Sequence, residues 1–251
     1  MQWYDLQRHL PRFSEYQTAI DRLQRQIVWE NIQSHPYIVA QYLHLRFQTF
    51  LQTVLQPHLK FTDHWWRYEW QARGSGHLHC LFWVKQAPVL GQLTDAFRAT
   101  FARFWGQKIT ALNPHPLRLP DTRNPASLQS SLVMNTADQF AAFLNRLQQH
   151  TTCRPSYCLR TRKGASKLEC RFFYPRPLIE TPTVTNQIRP GSWLFAPARN
   201  QGLLNQCVPV YTMAWMANTD VQPPTDIHAV LSYIGKYVSK PEKKSILYTN
   251  L

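Results

Sequence analysis

The chain has 251 residues, 44% of them hydrophobic and 13% aromatic, which excludes a largely disordered polymer and allows one large or two small globular domains. A net charge of +14, from 28 Lys and Arg against 14 Asp and Glu, favours a polyanionic partner, and aromatics mixed among the cations favour single-stranded nucleic acid over a merely soluble basic protein. No signal peptide or membrane-spanning run occurs, so we expect a protein that is not secreted and has no membrane partner, nuclear in a eukaryote and otherwise cytoplasmic.

The N-terminal part of the chain has a helical pattern. Apolar residues recur at helical spacing between Tyr16 and Leu59, and Pro36 is expected to separate two helices there. We therefore predict an N-terminal helical region over residues 1–59 and a second domain over residues 60–251. The pattern alone leaves open whether the first 45 residues belong to the catalytic domain or form a separate arm.

A β-hairpin is predicted next. Aromatic and polar residues alternate from Phe61 to Gln71, a glycine-containing turn follows over residues 73–76, and Leu78 to Val84 reads as the returning strand. On this returning strand His77 and His79 point to the same face, since side chains two apart do so.

The histidine pair is a candidate metal site. Glu69 and Gln71 lie across the hairpin, and either side chain could supply the third ligand. Mixed imidazole and oxygen ligation indicates Mg²⁺ or Mn²⁺. The alternative is a pair of polar residues on an exposed strand face, which is the usual meaning of an isolated His-x-His.

Helices, loops and one further strand complete the pattern, which is typical of an α+β fold. We predict helices over Thr94–Trp105 and Thr136–His150, loops over Asn113–Pro125 and Tyr157–Gly202, and a strand over Val208–Ala217.

A second metal site is predicted in the segment 150–178. His150, Cys153, Cys158 and Cys170 form the spacing H-x2-C-x4-C-x11-C, which suits a structural Zn²⁺ held by one imidazole and three thiolates. The segment has few apolar residues and needs something other than a core to fix it. The alternative is three buried free cysteines with a surface histidine, and His115 could replace His150 as a ligand.

Cations and aromatic residues surround this cysteine segment. We expect the cations to contact DNA phosphates and Phe172, Phe173 and Tyr174 to stack on bases, although a charge run is often only a solvated face. The predicted DNA-binding cations, including one in the hairpin turn, are Arg73, Arg154, Arg160, Arg162, Lys163, Lys167, Arg171 and Arg176.

The last predicted element is a helix from Asp226, as N-cap, to Pro241. Tyr233, Lys236, Tyr237 and Lys240 share one face of this helix. Two phenols and two ammonium groups in a line suit a phosphodiester backbone, since lysine attracts the phosphate and favours the phenolate, the nucleophilic form of tyrosine. The alternative is a half-buried aromatic stripe.

The chain resembles the HUH endonuclease superfamily, and within it the Rep domain of Helitron transposases. His77-Leu78-His79 corresponds to the family's His-hydrophobic-His motif, and Tyr233 and Tyr237 to its two tyrosines four residues apart. Three more segments match the family's Glu-x-Gln-x-Arg-Gly, Cys-Arg-Phe-x-Phe-Pro and Ala-Asn-x-Asp-Ile-Gln patterns in order. These segments are residues 69–74, 170–175 and 217–222, with Tyr174 where the family usually has Phe.

The resemblance implies a central antiparallel β-sheet flanked by helices, a loop-rich insertion stabilised by zinc, and a metal-dependent single-stranded DNA endonuclease and strand transferase. It implies a covalent 5′-phosphotyrosine intermediate, a free 3′-OH and a helicase domain on the same full-length chain; no G-x-x-x-x-G-K-[ST] run occurs in these 251 residues. The alternatives are a rolling-circle replication initiator or relaxase with the same chemistry, and a non-catalytic zinc-dependent module that binds single-stranded DNA.

Overall fold

The computed structural model describes seven segments of the chain, residues 2–70, 76–88, 94–120, 124–128, 136–161, 167–186 and 193–239. Its helices are α1 (Tyr4–Gln7), α2 (Phe13–Thr18), α3 (Asp21–Ser34), α4 (Pro36–Phe50), α5 (Gln56–Leu59), α6 (Asp95–Gly106), α7 (Ala137–Leu147), α8 (Pro209–Trp215) and α9 (Ile227–Val238). Its strands are β1 (Phe61–Trp70), β2 (Gly76–Val84), β3 (Leu159–Thr161), β4 (Leu168–Cys170), β5 (Thr183–Asn186) and β6 (Trp193–Ala196). A mixed α+β class is therefore confirmed.

The strands do not join into the single central sheet that the resemblance implies. Within the described residues they form three separate antiparallel pairs, β1 with β2, β3 with β4, and β5 with β6. Each pair joins strands that are neighbours in the chain. An HUH-type central sheet is not seen in this part of the protein.

The described chain divides into two compact units. The first, which we call the hairpin unit, combines Met1–Ala87, Thr122–Val133 and Ile227–Leu251. The second, the cysteine unit, combines Pro88–Asp121 and Met134–Asp226. The tyrosine helix α9 therefore belongs to the same unit as the histidine strand, although more than 140 residues separate them in the chain.

The hairpin unit is built from the N-terminal helices and the β1–β2 pair. Pro36 begins α4 directly after α3 ends, which confirms the predicted break, because a proline at the first helical position loses no hydrogen bond. A π-helical turn over Leu51–Leu55 connects α4 to α5, and Lys60, in a left-handed conformation, ends the helical run.

The hairpin packs one of its two faces against α4. The ring of Trp66 contacts Phe47 of α4 edge to face at 5.3 Å, and Phe47 is buried. Gly76 lies so close to Leu43 and Trp70 that an added Cβ would be 2.7 Å from Leu43 Cδ2. The opposite face, which carries Glu69, His77 and His79, is left for other contacts.

The cysteine unit contains a small apolar core and two of the predicted helices. Helix α6 begins after the N-cap Thr94, as predicted. Helix α7 begins after Thr136, which forms a capping box with Gln139, and it ends at Leu147, three residues before the predicted end. Its buried Leu144 packs with a core cluster whose other members are Ala111, Leu204 and Cys207.

The strand predicted over Val208–Ala217 is wrong, because this segment forms helix α8. The residues that it buries are Val208, Tyr211 and Thr212, which have helical rather than alternating spacing. Pro209 stands at the start of the helix, where its missing N–H costs nothing. Met216, with a φ of 56°, ends it.

Candidate metal and tyrosine site

Glu69, His77 and His79 converge on one point at the turn end of the hairpin. In the β1–β2 register Glu69 is opposite His77 and Arg67 is opposite His79, so all four side chains share one face. The Nε2 atoms of the two histidines are 2.9 Å apart, and Glu69 Oε2 lies 2.9 Å from His79 Nε2 and 3.4 Å from His77 Nε2. Three potential ligand atoms thus lie within 4.8 Å of one another.

The donor set of this group fits a divalent cation. Two imidazole nitrogens and one carboxylate oxygen, on side chains that are 14–37% exposed, leave room for further oxygen ligands such as water or phosphate. Of the two third-ligand alternatives, Glu69 is placed beside the histidines. Gln71 and the predicted turn residue Arg73 lie outside the described residues.

Helix α9 places both tyrosines against His79. The hydroxyl of Tyr233 is 3.0 Å from Nδ1 of His79, the ring nitrogen on the side opposite the ligand atom Nε2. The ring of Tyr237 stacks on the His79 imidazole with a centroid distance of 3.6 Å and an interplanar angle of 25°. The two phenol rings are 4.7 Å apart. The residues of the two strongest motifs therefore meet in one place.

Arg67 connects the end of α9 to the histidine face. Its guanidinium donates hydrogen bonds to the backbone carbonyls of Tyr237 and Val238, at 3.1 Å for the latter. These carbonyls belong to the last turn of the helix, where no intrahelical N–H remains to bond them. Sequence reasoning missed this contact, although the alternation of β1 already placed Arg67 on the face of Glu69.

Of the two lysines predicted on the tyrosine helix, only Lys236 lies within the described residues. Lys236 is exposed, and its Nζ lies 5.2 Å from the centre of the Tyr237 ring. Lys240 and Pro241 lie outside the described residues. The helix ends at Val238, ahead of that proline, as a proline-terminated helix should.

A second group of metal-ligand type lies in the cysteine unit. The Nε2 atom of His150 is 3.1 Å from Cys153 Sγ and 3.5 Å from Cys170 Sγ, and the three ligand atoms form a compact group. The β3–β4 pairing brings Cys170 opposite Leu159, directly after Cys158. Cys158 is buried beside the group, with Sγ 3.8 Å from the carbonyl oxygen of Thr152.

The surroundings of Cys170 favour a thiolate. Burial opposes ionisation, but hydrogen bonds from the backbone amides of Tyr174, Phe172 and Phe173 outweigh it, so the pKa of the Cys170 thiol is lowered. The pKa of Cys153 is raised, first by desolvation and then by the neighbouring thiols. The His150 ring stacks on Tyr174 at 4.6 Å, which fixes its plane.

The two remaining resemblance segments meet in the cysteine unit. Tyr174 donates a hydrogen bond to Asn205 at 2.9 Å, and the side chain of Asn205 donates in turn to the carbonyl oxygen of Thr219 at 3.2 Å. The carboxamide of Gln148, at the end of α7, bonds both the N–H and the C=O of Thr219 at 2.9 Å. These partly buried bonds join the Cys-Arg-Phe and Ala-Asn-x-Asp segments to each other and to the end of α7.

The predicted DNA-binding side chains differ in exposure. Arg154, Arg160, Lys167 and Arg171 are exposed, Arg176 is half-buried, and Arg162 and Lys163 lie outside the described residues. Arg171 lies over the rings of Tyr157 and Phe172, at 4.1 and 4.6 Å. Of the three aromatic residues predicted to stack on bases, Phe173 is the most exposed, at 58%.

Comparison with known families links the N-terminal part of the chain to Helitrons. Residues 1–82 match the family model described as the Helitron helicase-like domain at the N-terminus. The match covers about a third of the chain, namely α1 through most of β2, and includes Glu69, His77 and His79. Searches of the curated proteins and of the solved structures returned no match. Within the described residues no helix is both long and apolar enough to cross a bilayer.

Proposed function

We propose that the protein is a metal-dependent single-stranded DNA endonuclease and strand transferase of the Helitron rolling-circle type, with an HUH-type catalytic domain. The observation that carries the proposal is the hydroxyl of Tyr233, 3.0 Å from a ring nitrogen of His79, whose other nitrogen faces His77 and Glu69. A candidate nucleophile and a group of potential ligands thus lie together, with the exposed Lys236 next to Tyr237 on the same helix. The Helitron match over residues 1–82 supports the same role.

The residues of the site would have different roles in a transesterification. Glu69, His77 and His79 would hold Mg²⁺ or Mn²⁺, which supplies Lewis-acid stabilisation of the charge on a scissile phosphate. With a metal bound at Nε2, His79 would carry its proton on Nδ1 and donate a hydrogen bond to the Tyr233 oxygen, which would orient a lone pair of that oxygen. Lys236 and Lys240 attract the phosphate backbone.

The reaction exchanges one phosphoester for another. The tyrosine oxygen forms a bond to phosphorus, the bond from phosphorus to the 3′ oxygen breaks, and the phenolic proton ends, through solvent, on the released 3′ oxygen. The products are a 5′-phosphotyrosine and a free 3′-OH. Because the new ester conserves the energy of the old one, a 3′-OH can reverse the step without ATP. Two tyrosines on one helix could hold two DNA ends in turn, which suits strand transfer.

The proposal is tested by incubation with end-labelled single-stranded DNA, in Mn²⁺ and in EDTA, followed by denaturing gels. We expect a covalent protein–DNA adduct that needs the metal and is lost in the double variant Tyr233→Phe, Tyr237→Phe. Tyr157→Phe, an exposed tyrosine of the cysteine unit, is the matched control and should leave the adduct unchanged. Substrates should include transposon-end sequences.

The outcome of this experiment separates the alternatives. Single-strand binding without any adduct on every substrate would favour the non-catalytic binding module. An adduct formed only at a replication origin or transfer origin would favour an initiator or relaxase with the same chemistry. Cleavage that survives the double variant would remove tyrosine from the mechanism.

Two further parts of the proposal concern the cysteine unit. We assign a structural Zn²⁺ to His150, Cys153, Cys158 and Cys170, because a mixed imidazole and thiolate set suits zinc. We assign phosphate contacts to the exposed cations around it, together with Arg73, Arg162 and Lys163, and base stacking to Phe173. In the full-length protein we place this chain beside a helicase domain, in the nucleus if the host is a eukaryote and otherwise in the cytoplasm.

A further inference from the structure

The histidine face of the hairpin continues beyond the metal group. On β2 the side chains of Leu81 and Trp83 follow His77 and His79 on the same face, since side chains two apart do so. On β1 Trp65 is the residue opposite Leu81. A row of one aliphatic and two indole side chains therefore begins immediately beside His79. We call Trp65, Leu81 and Trp83 the indole row.

The far end of the indole row, at Trp83, is exposed to solvent, whereas aromatic residues of the opposite face pack against other rings. Trp83 is 46% exposed, and Trp65 and Leu81 are half-buried. On the other face, by contrast, Trp66 packs on the buried Phe47, and Phe82 lies 5.0 Å from Phe61. Leaving an indole in water forgoes the free energy of its burial, so a tryptophan exposed beside a candidate catalytic group suggests a ligand.

The position of the row relative to the metal group suits a DNA strand. Along a strand the rise is about 3.3 Å per residue, so Leu81 and Trp83 lie roughly 7 and 13 Å from His79. These are distances that an extended single strand covers in a few nucleotides. A phosphate held at the metal group would thus have its neighbouring bases within reach of the indole row.

We propose that Trp83, with Trp65 and Leu81 beside it, forms a stacking subsite for an unpaired base within a few nucleotides of the scissile phosphate. An aromatic ring stacks on any base, and the subsite needs only a small surface, whereas a stable protein partner needs far more area than this row offers. The net charge of +14 favours a nucleic acid, and Asp63, opposite Trp83, turns its carboxylate onto the backbone N–H of His64 at 2.7 Å. This subsite rests on the proposed function.

The test is equilibrium binding of oligothymidine that carries one 2-aminopurine, measured without added Mg²⁺ or Mn²⁺ and without a chelator, in the Tyr233→Phe, Tyr237→Phe background, so that no cleavage occurs and the zinc group stays intact. Trp83→Ala should weaken single-strand binding by about 5- to 150-fold and reduce the quenching of 2-aminopurine fluorescence, since one base–aromatic stack has that range of effect. Trp83→Phe should retain most of the affinity. Trp29→Ala removes a tryptophan of similar exposure, 54%, from α3 and should change neither signal.

The outcomes distinguish this subsite from the proposed chemistry. If Trp83→Ala binds and quenches as the unaltered protein does, the stacking subsite is overturned, even where the covalent adduct still forms. If Trp83→Ala weakens single-stranded and duplex DNA equally, stacking is overturned as well. The third outcome is that the unaltered protein forms no adduct, while Trp83→Ala weakens the binding of single-stranded DNA but not of duplex DNA. The subsite then stands and the endonuclease proposal fails.

Discussion

His79 joins the two parts of the candidate site, because its two ring nitrogens face different partners. Nε2 lies 2.9 Å from both Glu69 and His77, whereas Nδ1 lies 3.0 Å from the hydroxyl of Tyr233. A histidine with partners on both sides has a fixed ring plane, and its tautomer depends on what Nε2 binds. The stacked ring of Tyr237 restricts that plane further.

The carboxylate of Glu69 should control metal affinity at this site. Glu69→Gln keeps the shape of the side chain but removes the negative charge that a hard divalent cation prefers. We expect the affinity for Mn²⁺, measured by electron paramagnetic resonance, to fall roughly tenfold or more, since even substitutions behind a ligand have such effects. Glu180→Gln, an exposed glutamate of the cysteine unit, should leave it unchanged. Equal affinity in both variants would remove Glu69 from the ligand set.

Buried cysteines and the exposed Cys153 should differ in reactivity. Burial raises the pKa of the Cys80 thiol to about 12 and also raises that of Cys207, so both stay protonated and unreactive near neutral pH. Cys153 is exposed within the His150 group, where bound Zn²⁺ would protect it. We expect iodoacetamide at pH 8 to label Cys153 first, and only after chelation, as read by mass spectrometry.

The control for this experiment lies within the same chain. Cys80 and Cys207 should remain unlabelled both before and after chelation, because their protection comes from burial and not from a metal. Labelling of Cys153 at the same rate with and without the chelator would contradict the zinc assignment. Labelling of all five cysteines together after chelation would show instead that zinc holds the whole protein folded.

Two glycines on different elements should respond to alanine in opposite directions. At Gly76 an added Cβ would lie 2.7 Å from Leu43 and 2.8 Å from the Trp70 ring, so Gly76→Ala should lower the free energy of unfolding by about 1–3 kcal/mol. At Gly235, in α9, nothing lies within 4 Å of the added atom, so Gly235→Ala should raise helix stability by up to about 1 kcal/mol. Urea denaturation of both variants measures the two effects.

The glycine comparison also checks how the hairpin is attached. If Gly76→Ala left the free energy of unfolding unchanged, β2 would not approach α4 as closely as the structure shows. A destabilising Gly235→Ala would mean that this face of α9 is covered by another surface. Either result would change the surroundings assigned to the histidine face.

Single elements were predictable where their periodicity was unambiguous. The alternation of β1 and the helical periodicity of α6 and α7 gave the correct elements, because these signals are local. Val208–Ala217 failed because a short apolar run fits a strand and a buried helix equally well, and Pro209 at its start was the deciding signal. The α9 helix was predicted from spacing, but its contact through Arg67 was not.

At the scale of the whole molecule, the sequence could indicate which residues belong to one site but not how the fold brings them together. The resemblance grouped the histidines with the tyrosines, yet the hydrogen bond between His79 and Tyr233 is a contact across 154 residues that no spacing encodes. The resemblance also implied a single central sheet, which is not seen, since the described strands pair only with their chain neighbours. Long-range pairing depends on tertiary packing, which local patterns do not contain.

The charge of the whole molecule should appear as a salt dependence of single-strand binding. Each phosphate contact on a single strand adds about 0.7 to the slope of log affinity against log salt concentration. Arg160→Gln, which removes an exposed cation beside the cysteine group, should lower that slope by about this amount. Arg12→Gln removes an equal charge that is already paired with Glu15 and Glu30, and it should leave the slope unchanged. If both variants lower it equally, net charge alone accounts for binding, and the phosphate contacts assigned to the cysteine unit are wrong.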